Sequence, residues 1–476
     1  MPHSTEPLYL ALDQGGHSSR ALVFSASGAL LASAQAPVET RSPQPGWVEQ
    51  DAEALAASLR AVIAEVGSAL GGDLHRLRAA GLATQRSNCV CWDRHTGAPL
   101  SPAISWQDRR AQTWLEGLDL TQAEIRARTG LYRSPHYGAG KLRWCLDHLP
   151  AVRAAAGNLA CGPLASFLLS RLLAERPLLI DPANAARTLL WNLAARDWDA
   201  ALLEAFGIAR RLLPRCAGTR DVYGTLQVGD RALPLRVSTG DQSAALFGDG
   251  HPRGDTLYVN LGTGAFLQRP VTGLPCPPDG LLASIVYADA TRAEYVLEAT
   301  VNGAGTALDW ARDRLGMRDI EASLADWLHQ DGEIPLFLNG VAGLGSPWWD
   351  AGFGSRFVGA GAPWAQAVAV AESIVFLIVE NLRRLNADAS LRCIQVSGGL
   401  ARLSGLCQRL ADISGLTIVR SAQPEATARG VAWLLADAEG LGWGSADGEL
   451  FTPRENLAAQ ARYGRWREAM RQALEA

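Results

Sequence analysis

Apolar positions along the chain alternate between a strand rhythm and a helix rhythm, and that alternation sets the expected fold class. Leu8, Tyr9, Leu10 and Leu12 suit a buried strand that runs into Asp13 and the turn-forming pair Gly15-Gly16. Residues 21–24 and 29–34 read as two further strands about a turn at Ser27-Gly28, giving an antiparallel meander that ends at the Pro-rich link 42–46. Leu55, Leu59, Val62, Ile63 and Val66 then recur at helical spacing, which predicts a helix over 52–69 with Asp51 as its N-cap. A strand over 77–83 and helices over 107–116 and 138–146 follow, before a less regular middle containing Trp191, Trp198 and Pro214.

Near residue 255 the opening pattern returns. Residues 256–261 are apolar, Gly262-Thr263-Gly264 turns, and 265–268 leave as another strand. Helices over 303–315, 363–385, 402–413 and 425–438, with strands at 334–338 and 393–396, complete this half. Strands alternating with helices define an α/β class, and the coarse duplication predicts two related domains, 1–250 and 251–476, facing a cleft. Their boundary is expected in the Gly/Pro/Asp/His cluster 248–254.

Composition narrows the partners. A chain of 476 residues exceeds one ordinary core, in line with two domains. Its net charge of −4 and the lack of any Lys/Arg run leave no basic surface for nucleic acid. Residues 1–7 lack a basic region followed by an apolar core, and no stretch reaches the roughly eighteen uninterrupted apolar residues of a membrane span. No membrane partner and a cytoplasmic location are therefore expected. The eight cysteines show no C-x-x-C spacing, so they read as reduced, mostly packed thiols rather than a zinc site or disulfide framework.

Several turns could carry chemistry. Asp13, at a strand tip beside glycine N–H groups, is placed to hold Mg²⁺, usually through water, while Gly15-Gly16 could hold a phosphate. The same residues also suit an ordinary hairpin. Gly262-Thr263-Gly264 repeats the logic, and paired across a cleft the two turns could grip adjacent phosphates of one nucleotide. Ser397-Gly398-Gly399 ends a third apolar strand and opens a helix, a geometry open to close approach by a nucleotide or simply a strand-to-helix turn. Asp241, in Ser238-Thr239-Gly240-Asp241-Gln242 ahead of the apolar 244–247, is either an N-cap or the group that orients an attacking hydroxyl and accepts its proton. A helix N-terminus would depress its pKa, favouring orientation over strong basicity. Two nucleotide motifs are excluded. Gly138-Ala139-Gly140-Lys141 has Pro135 and Leu142 where a P-loop needs Gly and Ser/Thr, and Gly303-Ala304-Gly305 has Leu308 where a dinucleotide fingerprint needs its third glycine.

Together these stretches resemble the FGGY carbohydrate kinases, and within them the glycerol kinase branch. The stretches are Y-L-A-L-D-Q-G-G-H-S-S-R-A-L-V-F (9–24), P-G-W-V-E-Q-D (45–51), A-T-Q-R (83–86), S-W-Q-D-R-R (105–110), T-G-D-Q-S-A-A-L-F-G (239–248), N-L-G-T-G-A-F (260–266), G-L-G-S-P-W-W-D (343–350) and S-G-G-L-A (397–401). The resemblance implies two actin-like ATPase (ribonuclease H-like) domains facing a central cleft, ATP with Mg²⁺ as phosphoryl donor, and a small polyol or sugar as acceptor. It implies Asp13 for Mg²⁺, Asp241 for the attacking hydroxyl, and Arg86, Gln242, Trp106 and Phe266 for the substrate. Gly262, Thr263, Gly264, Gly305, Gly398 and Gly399 would hold ATP, with Gly15 and Gly16 in the phosphate turn; a homo-oligomer, dimer or tetramer, is expected. Four positions depart from the glycerol kinase pattern: Gly16 and His17 stand where it has two threonines, Ser87 replaces a glutamate, and His136 a tyrosine that Tyr137 could replace. Ser87 and His136 would line the acceptor pocket, His136 adding a donor or partial positive charge, so a larger, more oxygenated or even acidic acceptor is expected rather than glycerol. Glycerol itself is the alternative. An actin-like nucleotide-binding protein that phosphorylates no small molecule is the alternative of another class.

Overall fold

In the computed structural model the described residues are 6–155, 157–317, 320–328, 330, 332–423, 425–444 and 448–475. They fall into two units: Met1–Pro252 with Ser284–Tyr295 and Glu425–Ser445, and Arg253–Ala283 with Val296–Pro424 and Ala446–Ala476.

The first unit is built on a six-stranded sheet ordered Arg220–Val228, Arg231–Gly240, Leu77–Thr84, Leu8–Gln14, Ser18–Ser25, Leu30–Pro37. Leu8–Gln14, Ser18–Ser25 and Leu30–Pro37 form the antiparallel meander read from the sequence. All seven residues of Leu8–Gln14 are buried, as an unbroken apolar run requires of a strand covered on both faces. Leu77–Thr84 pairs in parallel with Leu8–Gln14 on one side and with Arg231–Gly240 on the other. The carboxyl ends of these three strands therefore share one edge, with Asp13 beside Ala83 and Thr84 beside Gly240. That edge, where open α/β sheets bind ligands, receives Asp13, Gln85-Arg86-Ser87 and Asp241 from segments far apart in sequence. The helix Ala52–Leu70 covers the sheet through Leu55, Leu59, Val62, Ile63 and Val66, and Asp51 caps it by accepting the Ala54 N–H at 2.9 Å.

A second helix, Ala426–Asp437, lies against this sheet and against the short helix Asp241–Ala245. Its Gly430 is required by close approach, because a Cβ there would be driven into the Ala244 carbonyl oxygen. Thr427 Oγ1 donates to the Asp241 carbonyl at 3.3 Å. Gly430→Ala is therefore expected to destabilise the unit by about 1–3 kcal/mol through overpacking and to displace Asp241. Differential scanning calorimetry with a parallel activity assay checks this, and an unchanged Tm with full activity would contradict it.

In the second unit the strands Ala265–Val271, Thr256–Leu261, Cys393–Ser397, Thr417–Arg420 and Glu449–Phe451 run in that order. Thr256–Leu261 turns back antiparallel into Ala265–Val271 and pairs in parallel with Cys393–Ser397, repeating the arrangement of Leu8–Gln14 with its two neighbours. The helix Pro363–Leu385 runs through the core with the bounds read from the sequence. Among the described residues it is one of two helices, with Ala52–Arg76, long and apolar enough to cross a membrane, but 89% of its most apolar window is buried inside the protein.

Element edges differ from the sequence reading where side chains compete for the backbone. The helix expected over 107–116 begins only at Gln112. Before it, the buried Asp108 carboxylate accepts the N–H groups of Val48 and Arg110 and holds the segment as a loop. The helix expected from Gly303 begins at Gly305, because Ala304 and Gly305 donate their N–H groups to Thr263 and Gly262. After Ser397-Gly398 a 3-10 turn, Gly399–Arg402, precedes the helix Ser404–Ser414.

Candidate active site

At the shared strand edge of the first unit, Asp13 is 3% exposed and its carboxylate is bound by Arg20, whose guanidinium also binds Glu425. Asp13 and Arg20 are direct cross-strand partners, so the hairpin register alone brings them together. Burial raises the Asp13 carboxyl above its usual range, against the pull of the Arg20 guanidinium. Glu425 arrives from the helix that follows the second unit's last parallel strand, 405 residues away in sequence. Around the turn, Gln85 Nε2 donates to Gln50 Oε1 at 2.8 Å, and Gln50 Nε2 donates to the Gly16 carbonyl at 3.0 Å. The expectation that Gly15-Gly16 exposes several N–H groups is corrected at Gly15, whose N–H closes the turn onto the Ser18 carbonyl at 2.9 Å.

Beside this lies a second cluster. Arg86 Nη2 donates to Gln242 Oε1 at 2.7 Å, and its Nε stands 4.0 Å from Asp241 Oδ1. Asp241 is the first residue of its helix rather than the N-cap, which is Gly240, and it accepts the Gln242 N–H at 2.7 Å. Its pKa moves opposite to the sequence expectation. Burial pushes it up to about 6, and the nearby Asp13 adds to that, outweighing Arg86 and the Gln242 N–H. A five-residue helix offers little dipole, so desolvation wins.

Ser87 and His136 sit on either side of Lys141, the chain's single lysine. The buried Lys141 ammonium donates to the Ser87 carbonyl at 2.9 Å and to the His136 carbonyl at 2.6 Å. Ser87 has φ +67°, a left-handed backbone costly for serine, and its Oγ is buried with no hydrogen-bond partner among the described residues. The Trp106 ring lies 5.6 Å from the His136 ring, and the Trp106 N–H donates to Asn88 Oδ1 at 2.8 Å. Burial, then the Lys141 and Arg187 charges, hold His136 well below its usual pKa, so it is neutral near pH 7. The partial positive charge expected of His136 is therefore corrected to a neutral imidazole. The Tyr137 phenol bonds the Arg187 side chain, and its ring packs edge-on to His136 at 4.9 Å.

Arg187, Arg20, Glu425 and Lys141 are absent from the sequence-derived set. Arg20 was within reach of sequence reasoning, since placing the turn pairs it with Asp13. Arg187 comes from a short 3-10 turn, Ala186–Thr188, in the irregular middle, where no periodicity marks it.

The remaining candidates belong to the second unit. Gly262-Thr263-Gly264 forms the hairpin turn, with the Gly262 N–H donating to the Gly264 carbonyl at 2.9 Å and Gly305 donating back to Gly262 at 3.0 Å. A Cβ on Gly305 would stand 2.9 Å from the Gly262 carbonyl oxygen, so the helix can start this close to the turn because Gly305 carries no side chain. Gly398 has φ +90°, and a Cβ on it would lie 2.5 Å from the Leu261 carbonyl oxygen; Gly399 beside it faces open space. Phe266, half-buried, follows the turn opposite Asn260.

Two α/β units that repeat one hairpin-and-parallel-strand core, with glycine turns at the strand ends, define the actin-like ATPase fold. Residues 8–248 match the N-terminal domain of the FGGY family of carbohydrate kinases, and residues 257–438 match its C-terminal domain. The chain is 37% identical over 489 residues to a glycerol kinase of Alkalilimnicola ehrlichii, covering 98% of each protein. It shares its fold with the crystal structure of Plasmodium falciparum glycerol kinase with ADP, at a TM-score of 0.88, 23% identity and 98% coverage of both chains. It likewise shares the fold of xylulose kinase from Rhodospirillum rubrum, at 0.87 and 21%, again over 98% of both chains. The chain belongs to the FGGY family of carbohydrate kinases, ATP-dependent kinases that act on a hydroxyl.

Proposed function

We propose that the chain transfers the γ-phosphoryl group of ATP to one hydroxyl of a small polyol or sugar held at the strand edge of the first unit. The hydroxyl oxygen bonds to the γ-phosphorus as the bridge to the β-phosphate breaks, ADP leaves, and the hydroxyl proton passes to Asp241. The observation that carries this reading is the half-buried Asp241 carboxylate beside the Arg86–Gln242 pair, with its pKa pushed to about 6. A carboxylate near 6 is ionised at neutral pH yet basic enough to take a proton, the range suited to a general base. Arg86 and Gln242 bind and orient the acceptor, and Trp106, His136 and Ser87 form its walls. Gly262, Thr263, Gly264, Gly305, Gly398 and Gly399 of the second unit, together with Phe266, complete the proposed set for ATP and acceptor. The tight backbone approaches at Gly305 and Gly398 fit a phosphate cradle.

Mg²⁺ fits the hard oxygen donors of Asp13, and of Glu425 on the other side of Arg20, with binding usually through water. When bound, the ion neutralises charge on the phosphates. Glycerol as acceptor is the second reading, favoured by the similarity to glycerol kinases; Ser87, which offers no carboxylate to a diol, weighs against it.

Because Asp241 must be ionised to accept the proton, kcat/KM is expected to rise through an acid limb centred at about pH 6 and level off above it. The limb should be lost in Asp241→Asn. A wild-type profile flat from pH 5 to 8 would remove Asp241 from the base role.

A further inference from the structure

The stretch Gly138-Ala139-Gly140-Lys141, excluded as a P-loop, has another use in the fold. It opens the helix Gly138–His148. A Cβ on Gly138 would lie 2.6 Å from Cys89 Sγ, and one on Gly140 2.9 Å from Ala111 Cβ, so the two glycines let the helix start hard against the segments that follow Ser87 and Trp106. From the next position the fully buried Lys141 reaches back, donating to the Ser87 carbonyl at 2.9 Å and the His136 carbonyl at 2.6 Å. Among the 44 Lys and Arg residues of the chain it is the one lysine. An ammonium is a compact head whose three donors serve two convergent carbonyls, whereas a planar guanidinium needs a wider space. Burial pushes the Lys141 ammonium down to about 7, against Cys89 and the buried Asp108 carboxylate, with Arg109 and Arg110 adding to the fall. Asp108 itself binds Arg110 at 2.8 Å and the Val48 N–H at 2.6 Å. A buried cation is costly, and near a helix start it also meets the positive end of the dipole. Lys141 therefore does nothing for its own helix that an apolar residue would not do better; what it does is join two walls of the acceptor site.

We infer that Lys141 is a positioning residue of the acceptor site: its ammonium holds the left-handed Ser87 backbone against the His136 segment and so fixes the walls that meet the acceptor, without touching the acceptor itself. The inference rests on the kinase reading above and adds a residue to that site. Ser87 needs such a hold, because its φ of +67° is a conformation that serine keeps only where its surroundings impose it. The consequence spreads to Trp106. Asn88, the residue after Ser87, accepts the Trp106 N–H at 2.8 Å through Oδ1, and the Trp106 ring stands 5.6 Å from the His136 ring. Ser87, Trp106 and His136 thus form one linked wall, and Lys141 closes the link between its two ends.

The test measures ADP release with glycerol, erythritol, xylitol, sorbitol, xylulose and gluconate on wild type, Lys141→Met, Ser87→Gly and the double variant. With the compound wild type uses best, Lys141→Met should lower kcat/KM by roughly ten- to a hundredfold, while KM for ATP stays within about twofold. The same substitution should cost at least about threefold less when Ser87→Gly is already present, because glycine holds a positive φ unaided. Unchanged acceptor kinetics, an equal loss towards ATP, or losses that simply multiply would each overturn the inference and leave the kinase reading standing. Absence of ADP release from wild type with every compound would strike the kinase reading, and the inference with it. A second measurement needs no variant. Wild type labelled with ¹³Cε-lysine gives a single lysine side-chain resonance, since the chain has one lysine. Saturation with the best compound should shift that resonance, and a resonance left unmoved overturns the inference even where Lys141→Met does not fold.

Discussion

Asp241→Asn is expected to lower kcat on the best acceptor by at least about a hundredfold while leaving the affinity for ATP within about twofold of wild type. Asparagine keeps the size of the side chain and can still accept the Gln242 N–H that Asp241 accepts at 2.7 Å, so the short helix retains its start. What it loses is the ability to take a proton and the charge that faces Arg86 and Arg187. The nucleotide turns proposed for ATP lie in a different segment of the chain, which is why binding and turnover should separate. Isothermal titration with a non-hydrolysable ATP analogue, beside steady-state kinetics, measures both. A variant with near wild-type turnover would reduce Asp241 to a helix residue.

The largest stability effect is expected at Glu372, in the middle of the helix Pro363–Leu385. Its carboxylate, 1% exposed, accepts Arg462 Nε at 2.8 Å and Nη2 at 2.6 Å, and pairs with Arg409 Nη1 at 2.9 Å. Both arginines are themselves nearly buried. Glu372→Ala removes the one carboxylate holding two such cations, and breaking a buried pair in this way typically costs about 3–5 kcal/mol. Tm should fall by on the order of 10 °C, with Glu372→Gln intermediate because it keeps an acceptor without the charge. A fall of only a degree or two would mean that water reaches the arginines and the triad is far less buried than its geometry indicates.

Long periodic elements were legible from sequence, and convergence of side chains was not. The helix over 363–385 shows its period and its proline start, and the meander shows its turns. The site needed topology. Parallel pairing of Leu8–Gln14, Leu77–Thr84 and Arg231–Gly240 brings Asp13, Arg86 and Asp241 to one edge, and a local pattern carries no information about which distant strand pairs with which. Glu425 joins Arg20 by the same route. The pKa of Asp241 departs from the sequence expectation because its position at a helix start is visible in sequence, whereas its desolvation by folded neighbours is not. His136 illustrates the same limit: a histidine on a pocket wall reads as a cation until Lys141 and Arg187 are placed beside it.

Incubation with γ-³²P-labelled ATP, Mg²⁺ and a panel of three- to six-carbon polyols, ketoses and aldonic acids tests phosphoryl transfer itself. Label should appear in a phosphomonoester of one acceptor, in equal amount to the ADP formed, and ADP release should collapse when that acceptor is withheld. Label appearing only as inorganic phosphate, at a rate no acceptor changes, would show an ATPase of the same fold and contradict the assignment of the strand edge as an acceptor site.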